Sequence, residues 1–322
     1  MLKPSASPHL RRIERPFYQA GGVLLCLVPL TAFSCLYYGV RPLLLVLIGM
    51  ITAMLTEVFC AAFARRRPTL NDGTSAVTGA LIGCMMSPLT PFWVPAMGAL
   101  FAIGVVKMPF GGTGRNVFNP AAAGVAFCAL CFPTRLFTYP DPAQIAPLPL
   151  TDTSSVVTAL SPAAQLSHNA TASIDWLSLI TGNFAGPIGS AGVIVLLACA
   201  LYLWMRRSSS LLIFTPYLTT CALLAWIFPR SPSPDAVLTE LCTGLLLFTG
   251  VFLLCDPVTA PRHWLARVCY GVIAAVLVMV LRHFGRFECC EFFAVLLVNA
   301  LAPMLDRTCW RIADTVSEVM NR

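Results

Sequence analysis

The chain has 322 residues, of which 57% are hydrophobic and 11% charged, and its formal net charge is +7. Water-soluble domains carry about 25% charged residues, so the composition excludes a soluble globular protein and points to a polytopic membrane protein. The positive excess implies no nucleic acid, because the topology below gathers it on one side of a membrane.

The first seventeen residues are polar and basic (Lys3, Arg11, Arg12, Arg15) and run directly into a full-length apolar segment. They are read as a cytoplasmic tail, not as a cleavable signal peptide. Ten apolar segments follow, at 18–39, 43–64, 74–90, 92–107, 118–133, 187–205, 211–228, 237–255, 265–283 and 290–305. Several fall short of the ~20 residues of a simple span. The short ones flank Gly/Pro interruptions, the pattern of broken helices.

Glu57 lies deep in the second segment. An intramembrane carboxylate faces protein or water and often marks an ion or proton path. Pairing with one of Arg65–Arg67 at the segment's edge is the other reading. Asp72 precedes the third segment as a candidate helix cap.

The stretch from Lys107 to Gly124 packs a lysine, an arginine, two asparagines, two prolines and four glycines between two apolar runs. Non-helical backbone at membrane depth is tolerated only where protein or a water-filled cavity surrounds it. An intramembrane or re-entrant site and a plain connecting loop both fit. Lys107 and Arg115 would hold a phosphate or a carboxylate, or anchor at the interface.

Most of the fourteen cysteines sit inside apolar segments and read as small hydrophobes. Cys128-Ala-Leu-Cys131 has CxxC spacing but no matching second pair, so no metal cluster is expected.

With the N-terminus cytoplasmic, sixteen Lys and Arg residues fall on the inner side and five (Arg41, Arg135, Arg230, Arg282, Arg286) on the outer side. That is a strong positive-inside asymmetry. It places both termini inside and the hydrophilic stretch Thr134–Gly186 outside.

Thr78-Gly79, with Ser87-Pro88 through Trp93, is echoed by Thr249-Gly250, with Asp256-Pro257 through Trp264. Asn119 and Asn299 follow at comparable places. Five spans on each side of the outer stretch force the second set to be inverted. Such repeats place sites near the midplane, between the halves. The fold class is therefore an all-α polytopic membrane protein of about ten transmembrane helices, built as two inverted five-helix repeats with broken or short helices. The organisation is tail 1–17, repeat 18–133, outer loop 134–186, repeat 187–305 and tail 306–322.

An ordered set of motifs spans nearly the whole chain: Ser7-Pro8-His9, Leu55-Thr56-Glu57, Asp72 to Gly79, Phe110 to Asn116, Phe118-Asn119-Pro120-Ala121, Asp256-Pro257-Val258-Thr259, and Asn299 to Pro303 with Asp306-Arg307. In this order they resemble the D subunit of the Rnf complex, the ion-translocating ferredoxin:NAD+ oxidoreductase. That protein is related to the B subunit of the sodium-translocating NADH:quinone reductase. The resemblance implies a bacterial inner-membrane translocase subunit, incomplete as an enzyme alone, that couples electron flow to Na+ or H+ movement. The implied partners are a membrane iron–sulfur pair, an FMN-bearing G-type subunit, cytoplasmic NADH- and ferredoxin-facing subunits, a flavin transferase and the lipid bilayer.

It also implies an FMN joined through its phosphate to an outer-side hydroxyl, and leaves room for a second, non-covalent flavin. The acceptor segment is Asp152-Thr153-Ser154-Ser155-Val156-Val157-Thr158-Ala159-Leu160-Ser161-Pro162. One register aligns Asp152, Ser155 and Thr158 and makes Thr158 the acceptor, although valines replace small residues at 156 and 157. Sliding by three makes Ser161 the acceptor but loses the aspartate. Arg135 is the nearest outer-side cation in sequence. Asp256, Asn119 and Asn299, with Glu57, are the candidate intramembrane polar or ion-path residues. A solute permease would also account for inverted repeats, and a flavin-free scaffold of the same complex for the motifs. A permease, however, has no need of an acceptor-like outer segment.

Overall fold

In a computed structural model of the chain, the described residues are 16–65, 69–142, 147–150, 153, 155–167, 176–206, 210–230, 236–285 and 288–320. They are mostly helical. Helices α1 (Pro16–Tyr38) and α2 (Arg41–Phe63) have 23 residues each, or about 35 Å at 1.5 Å per residue. Gly39, at φ +74°, turns the chain between them. Helix α3 (Thr74–Cys84) stops before Ser87-Pro88, where proline disfavours helical backbone in the residue ahead of it. Helix α4 (Trp93–Phe101) continues as a π-helical turn, Ala102–Lys107, and α5 (Pro120–Cys131) starts on a proline at its first position.

The outer stretch holds α6 (Pro133–Leu136), strands β1 (Tyr139–Pro140) and β2 (Thr158–Ala159), α7 (Pro162–Ser167) and α8 (Trp176–Thr181). The strands pair antiparallel, Tyr139 opposite Ala159 and Pro140 opposite Thr158. This two-residue ribbon stands in an otherwise helical chain; period-two patterning over two residues is too short to read from sequence. The second half has α9 (Val193–Met205), α10 (Leu211–Ile227), α11 (Ala236–Cys242), α12 (Leu246–Phe248) running into a π turn at Thr249–Leu253, α13 (Trp264–Phe284) and α14 (Glu291–Met320).

Each of the ten apolar segments contains a helix. By length and composition, four stretches can cross a membrane: Tyr18–Tyr38, Arg41–Phe63, Trp264–Phe284 and Glu291–Ala313. Ala236–Cys242 with Leu246–Leu253, bent by 56°, adds one broken span; Gly244, at φ +67°, sits in the break. The other apolar helices are shorter. Large apolar side chains such as Leu36, Phe59, Phe63, Trp226 and Phe284 face outward, the surface a bilayer would solvate.

Small residues let the helices touch. A Cβ on Gly79 would stand 2.2 Å from the carbonyl oxygen of Gly49, and one on Gly124 would stand 2.5 Å from that of Gly98. The backbones of α2 and α3, and of α4 and α5, are therefore in contact, as is common between helices packed in lipid. The two halves meet where α1 packs on α9 and α5 on α14. At the first crossing, Cys199 Sγ points to the carbonyl of Cys26 at 3.4 Å and Cys26 Sγ to that of Cys199 at 3.9 Å. The halves are also joined where the α5 cap residue Asn119 donates Nδ2 to the carbonyl of Leu253, at the end of the π turn after α12, at 3.4 Å.

Candidate functional site

At the α1–α2 turn, Arg41 opens α2 with its side chain buried. Its Nε donates to the Pro88 carbonyl (2.8 Å), Nη1 to those of Pro149 (3.0 Å) and Leu150 (2.6 Å), and Nη2 to those of Leu89 (3.4 Å) and Thr90 (3.2 Å). The guanidinium carbon lies 4.7 Å from the Phe92 ring centroid. Ser87 Oγ donates to the Thr138 carbonyl and Thr90 Oγ1 to that of Arg135. These bonds fasten the loop ahead of α4, the segment after α5 and residues 149–150 into one floor.

Above that floor lies a cleft of about 860 Å³, lined among others by Phe92, Trp93, Thr134, Arg135, Thr138 and Thr158. This is within the size range of sites that take drug-sized ligands. Thr158 is exposed on β2. The Arg135 side chain is exposed and makes no hydrogen bond or ion pair among the described residues. A hydroxyl and an uncommitted guanidinium therefore open onto one cleft with an aromatic wall.

Ser161 has a different setting. It is buried, donates its hydroxyl to Glu288, and accepts from the Ala164 backbone N–H at 3.1 Å, which caps α7. Ser155 is exposed and does not line the cleft. Asp152 lies outside the described residues.

Glu57 is fully buried in α2. Its Oε1 accepts from the Thr69 backbone N–H (3.2 Å) and hydroxyl, and Oε2 accepts from Ser75 and from Lys107 Nζ (3.3 Å). Lys107 Nζ also donates to Thr74 Oγ1 (2.8 Å) and Ser75 Oγ (2.7 Å). Among the described residues the ion-pair partner of Glu57 is thus a lysine fifty positions away and not Arg65, while Arg66 and Arg67 lie outside the described residues. Lys107 ends the π turn, an irregularity common at functional sites, and is buried with only 3% of its surface exposed instead of anchoring at an interface.

Lys107, Thr74, Thr78 and Asn119 line a cavity of about 250 Å³, closed from the second half by Val251, Phe252, Cys255 and Asp256. Asn119 Oδ1 caps α5 through the N–H groups of Ala121 (3.0 Å) and Ala122 (3.2 Å). Asp256 accepts from the Val258 N–H (3.3 Å) and Thr259 Oγ1 (3.2 Å). Asn299 Oδ1 accepts from the Tyr270 hydroxyl at 2.6 Å, and its Nδ2 is buried with no partner among the described residues. The cavity brings Asn119 and Asp256 together; Glu57 and Asn299 stand outside its lining.

A second buried ion network was not anticipated. Arg282 Nη1 donates to Glu240 Oε1 (2.9 Å) and to the Glu240 carbonyl (2.8 Å), and Nη2 to the Thr243 carbonyl (2.9 Å). Its Nε reaches Glu291 Oε1 at 3.1 Å. Arg230 Nε holds Glu240 Oε2 at 2.9 Å. The signal was present: Lys107, Glu240, Arg282 and Glu291 each sit within or at the edge of an apolar segment, where a charge requires an opposite partner.

The profile of the NQR2, RnfD, RnfE family matches residues 3–312. The chain is 30% identical to the D subunit of the Na(+)-translocating ferredoxin:NAD(+) oxidoreductase complex of Acetobacterium woodii, over 95% of this chain and 93% of that protein. It is 28% identical to the D subunit of the ion-translocating oxidoreductase complex of Shewanella sediminis, over 95% of both. It is 30% identical to the protein of the same name from Halorhodospira halophila, over 88% and 87%.

Proposed function

The chain belongs to the NQR2, RnfD, RnfE family, and from that premise we propose that it is the D-type membrane subunit of an Rnf-type ion-translocating ferredoxin:NAD+ oxidoreductase, carrying an FMN on its outer side at Thr158. The observation that carries the flavin assignment is that an exposed Thr158 and an Arg135 whose side chain has no partner among the described residues line one aromatic-walled cleft. A phosphoester needs a hydroxyl that a modifying enzyme can reach. Thr158 offers one, and the hydroxyl of Ser161 is committed inside the fold.

When bound, an FMN supplies both one- and two-electron transfer. This chain's residues hold and orient it. Thr158 would carry the phosphate, Arg135 would balance its charge, and Trp93 and Phe92 would wall the ring system off from water. Arg41 keeps the floor rigid. The cavity between the halves, mostly apolar with Asn119, Asp256, Lys107 and Thr78 on its walls, has about 250 Å³, less than the roughly 300 Å³ at which ligand pockets begin, so a second, non-covalent flavin does not fit it as it stands.

In this reading the ten helical segments form two inverted five-helix repeats. The reciprocal thiol-to-carbonyl contacts of Cys26 and Cys199 support it, because a two-fold relation makes residue i meet j as j meets i. Both termini then lie in the cytoplasm of a bacterial inner membrane. The iron–sulfur, NADH- and ferredoxin-facing chemistry belongs to partner subunits.

The test is in-gel ultraviolet fluorescence of the denatured chain, co-expressed with a flavin transferase, for wild type, T158A and S161A. Fluorescence lost in T158A and kept in S161A is expected. Fluorescence that survives T158A overturns the acceptor, and a wild-type chain that never fluoresces is a flavin-free scaffold.

A further inference from the structure

Behind β1 and β2, a third carboxylate joins the Arg282 network. Among the described residues the network contains two guanidiniums, Arg230 and Arg282, and two carboxylates, Glu240 and Glu291, joined by ion pairs. Those charges balance. Glu288, in the turn between α13 and α14, is surplus to them: its one hydrogen bond among the described residues comes from the Ser161 hydroxyl. An ionised Glu288 would add a negative charge with no cation paired to it among the described residues, near the Glu291 carboxylate in a poorly hydrated place, and such a site favours the neutral acid.

A second observation points the same way. Glu291 is fully buried, and its Oε2 has no hydrogen-bond partner among the described residues. The unsatisfied atom of the cluster is an acceptor, and the group it lacks is a donor. A neutral Glu288 brings an O–H into the cluster; an ionised one brings only more acceptors.

We propose that Glu288 and Glu291, set between the Ser161 cap of α7 and the Arg282 guanidinium, form a one-proton binding site at the outer end of the second half. The other groups around the pair hold their protons or charges fixed. Tyr139 on β1 and Cys289 ahead of α14 are buried, and burial raises both well above their usual ranges, so phenol and thiol stay neutral. Arg282 on α13, with Glu240 on α11 behind it, remains ion-paired. Glu288 is thus the group left to change state. Burial pushes its carboxyl up to about 7, the Ser161 hydroxyl opposing, Glu291 adding to the rise and Arg282 countering it. The site stands whether or not Thr158 carries a flavin.

The experiment is an infrared pH titration of the full chain in detergent, following the protonated-carboxyl stretch in wild type, E288Q and S161A. A carboxyl band titrating near pH 7, absent from E288Q, is expected. S161A, which removes a donor to the ionised form, should move the midpoint to higher pH by about half a unit or more. A neutral-range band that persists in E288Q, or a wild type whose carboxyls all titrate in the ordinary range, overturns the site. If E288Q does not fold, the S161A midpoint decides, and an unmoved midpoint counts against the proposal.

Discussion

Removing both members of the Glu57–Lys107 pair should destabilise the first half by less than the sum of the two single losses. Lys107→Met withdraws the ammonium from Glu57 Oε2, Thr74 Oγ1 and Ser75 Oγ and leaves a fully buried carboxylate with hydroxyl and amide donors only. Glu57→Gln leaves the buried ammonium with two hydroxyls and an amide oxygen. Breaking one side of a buried ion pair costs about 3–5 kcal/mol, because the remaining charge is stranded. For a chain of this size that is on the order of 2 °C per kcal/mol, or roughly 6–10 °C for each single variant. The double variant strands no charge, and neighbouring residues couple by ~0.5–3 kcal/mol. It should therefore melt well above the sum of the two losses. The assay is thermal unfolding of the detergent-purified chain, followed by size exclusion after heating, for wild type, both singles and the double. Strictly additive losses would refute the reasoning, since they would mean that each group meets its own partners and neither depends on the other.

Two further outcomes follow from the same contacts. With a protease site inserted in the outer loop, diamide oxidation should join the two fragments through Cys26 and Cys199 on a non-reducing gel; C26S or C199S should release them, and fragments that separate in wild type contradict the α1–α9 crossing. The folded chain holds the Glu288 proton up to about pH 7, whereas an unfolded carboxyl releases it near ~4.3. Between those values the native state binds more protons, so stability falls as pH rises across the window. Partial exposure of Glu288 limits the loss to on the order of 2 kcal/mol. Denaturant midpoints of E288Q should lack that decline, and an identical decline in both proteins would exclude Glu288 as its source.

The apolar segments were legible because each must bury or expose a continuous stripe, and a helix stands inside every one. The breaks at Ser87-Pro88 and Asn119-Pro120 were legible from their prolines, whereas the bend at Gly244 falls inside a segment, 237–255, that reads as one apolar run. The partners of the charges were less so. Glu57 invited a search among the adjacent Arg65–Arg67, yet its counter-ion arrives from the far end of α4 through a π turn that no local pattern announces. Arg282 was counted among outer-side cations for topology, although its place at the end of an apolar run required a partner. At the acceptor segment, sequence register alone left Thr158 and Ser161 open. Their settings differ through contacts remote in sequence: β1 for one, and Glu288, 127 residues on, for the other. No feature of those few residues encodes that difference.

Arg41 spends all its donors on main-chain oxygens: three ahead of α4 and two at residues 149–150. A carbonyl is the same at every position, so this grip is indifferent to which side chains the held strands carry. Those strands can be rewritten residue by residue and keep their seat, while even a lysine in place of the arginine would lose the fan of bonds. Variation should therefore be tolerated at 149–150, whose carbonyls alone are used, and punished at Arg41, while Thr90 is held besides by its own hydroxyl bond to the Arg135 carbonyl.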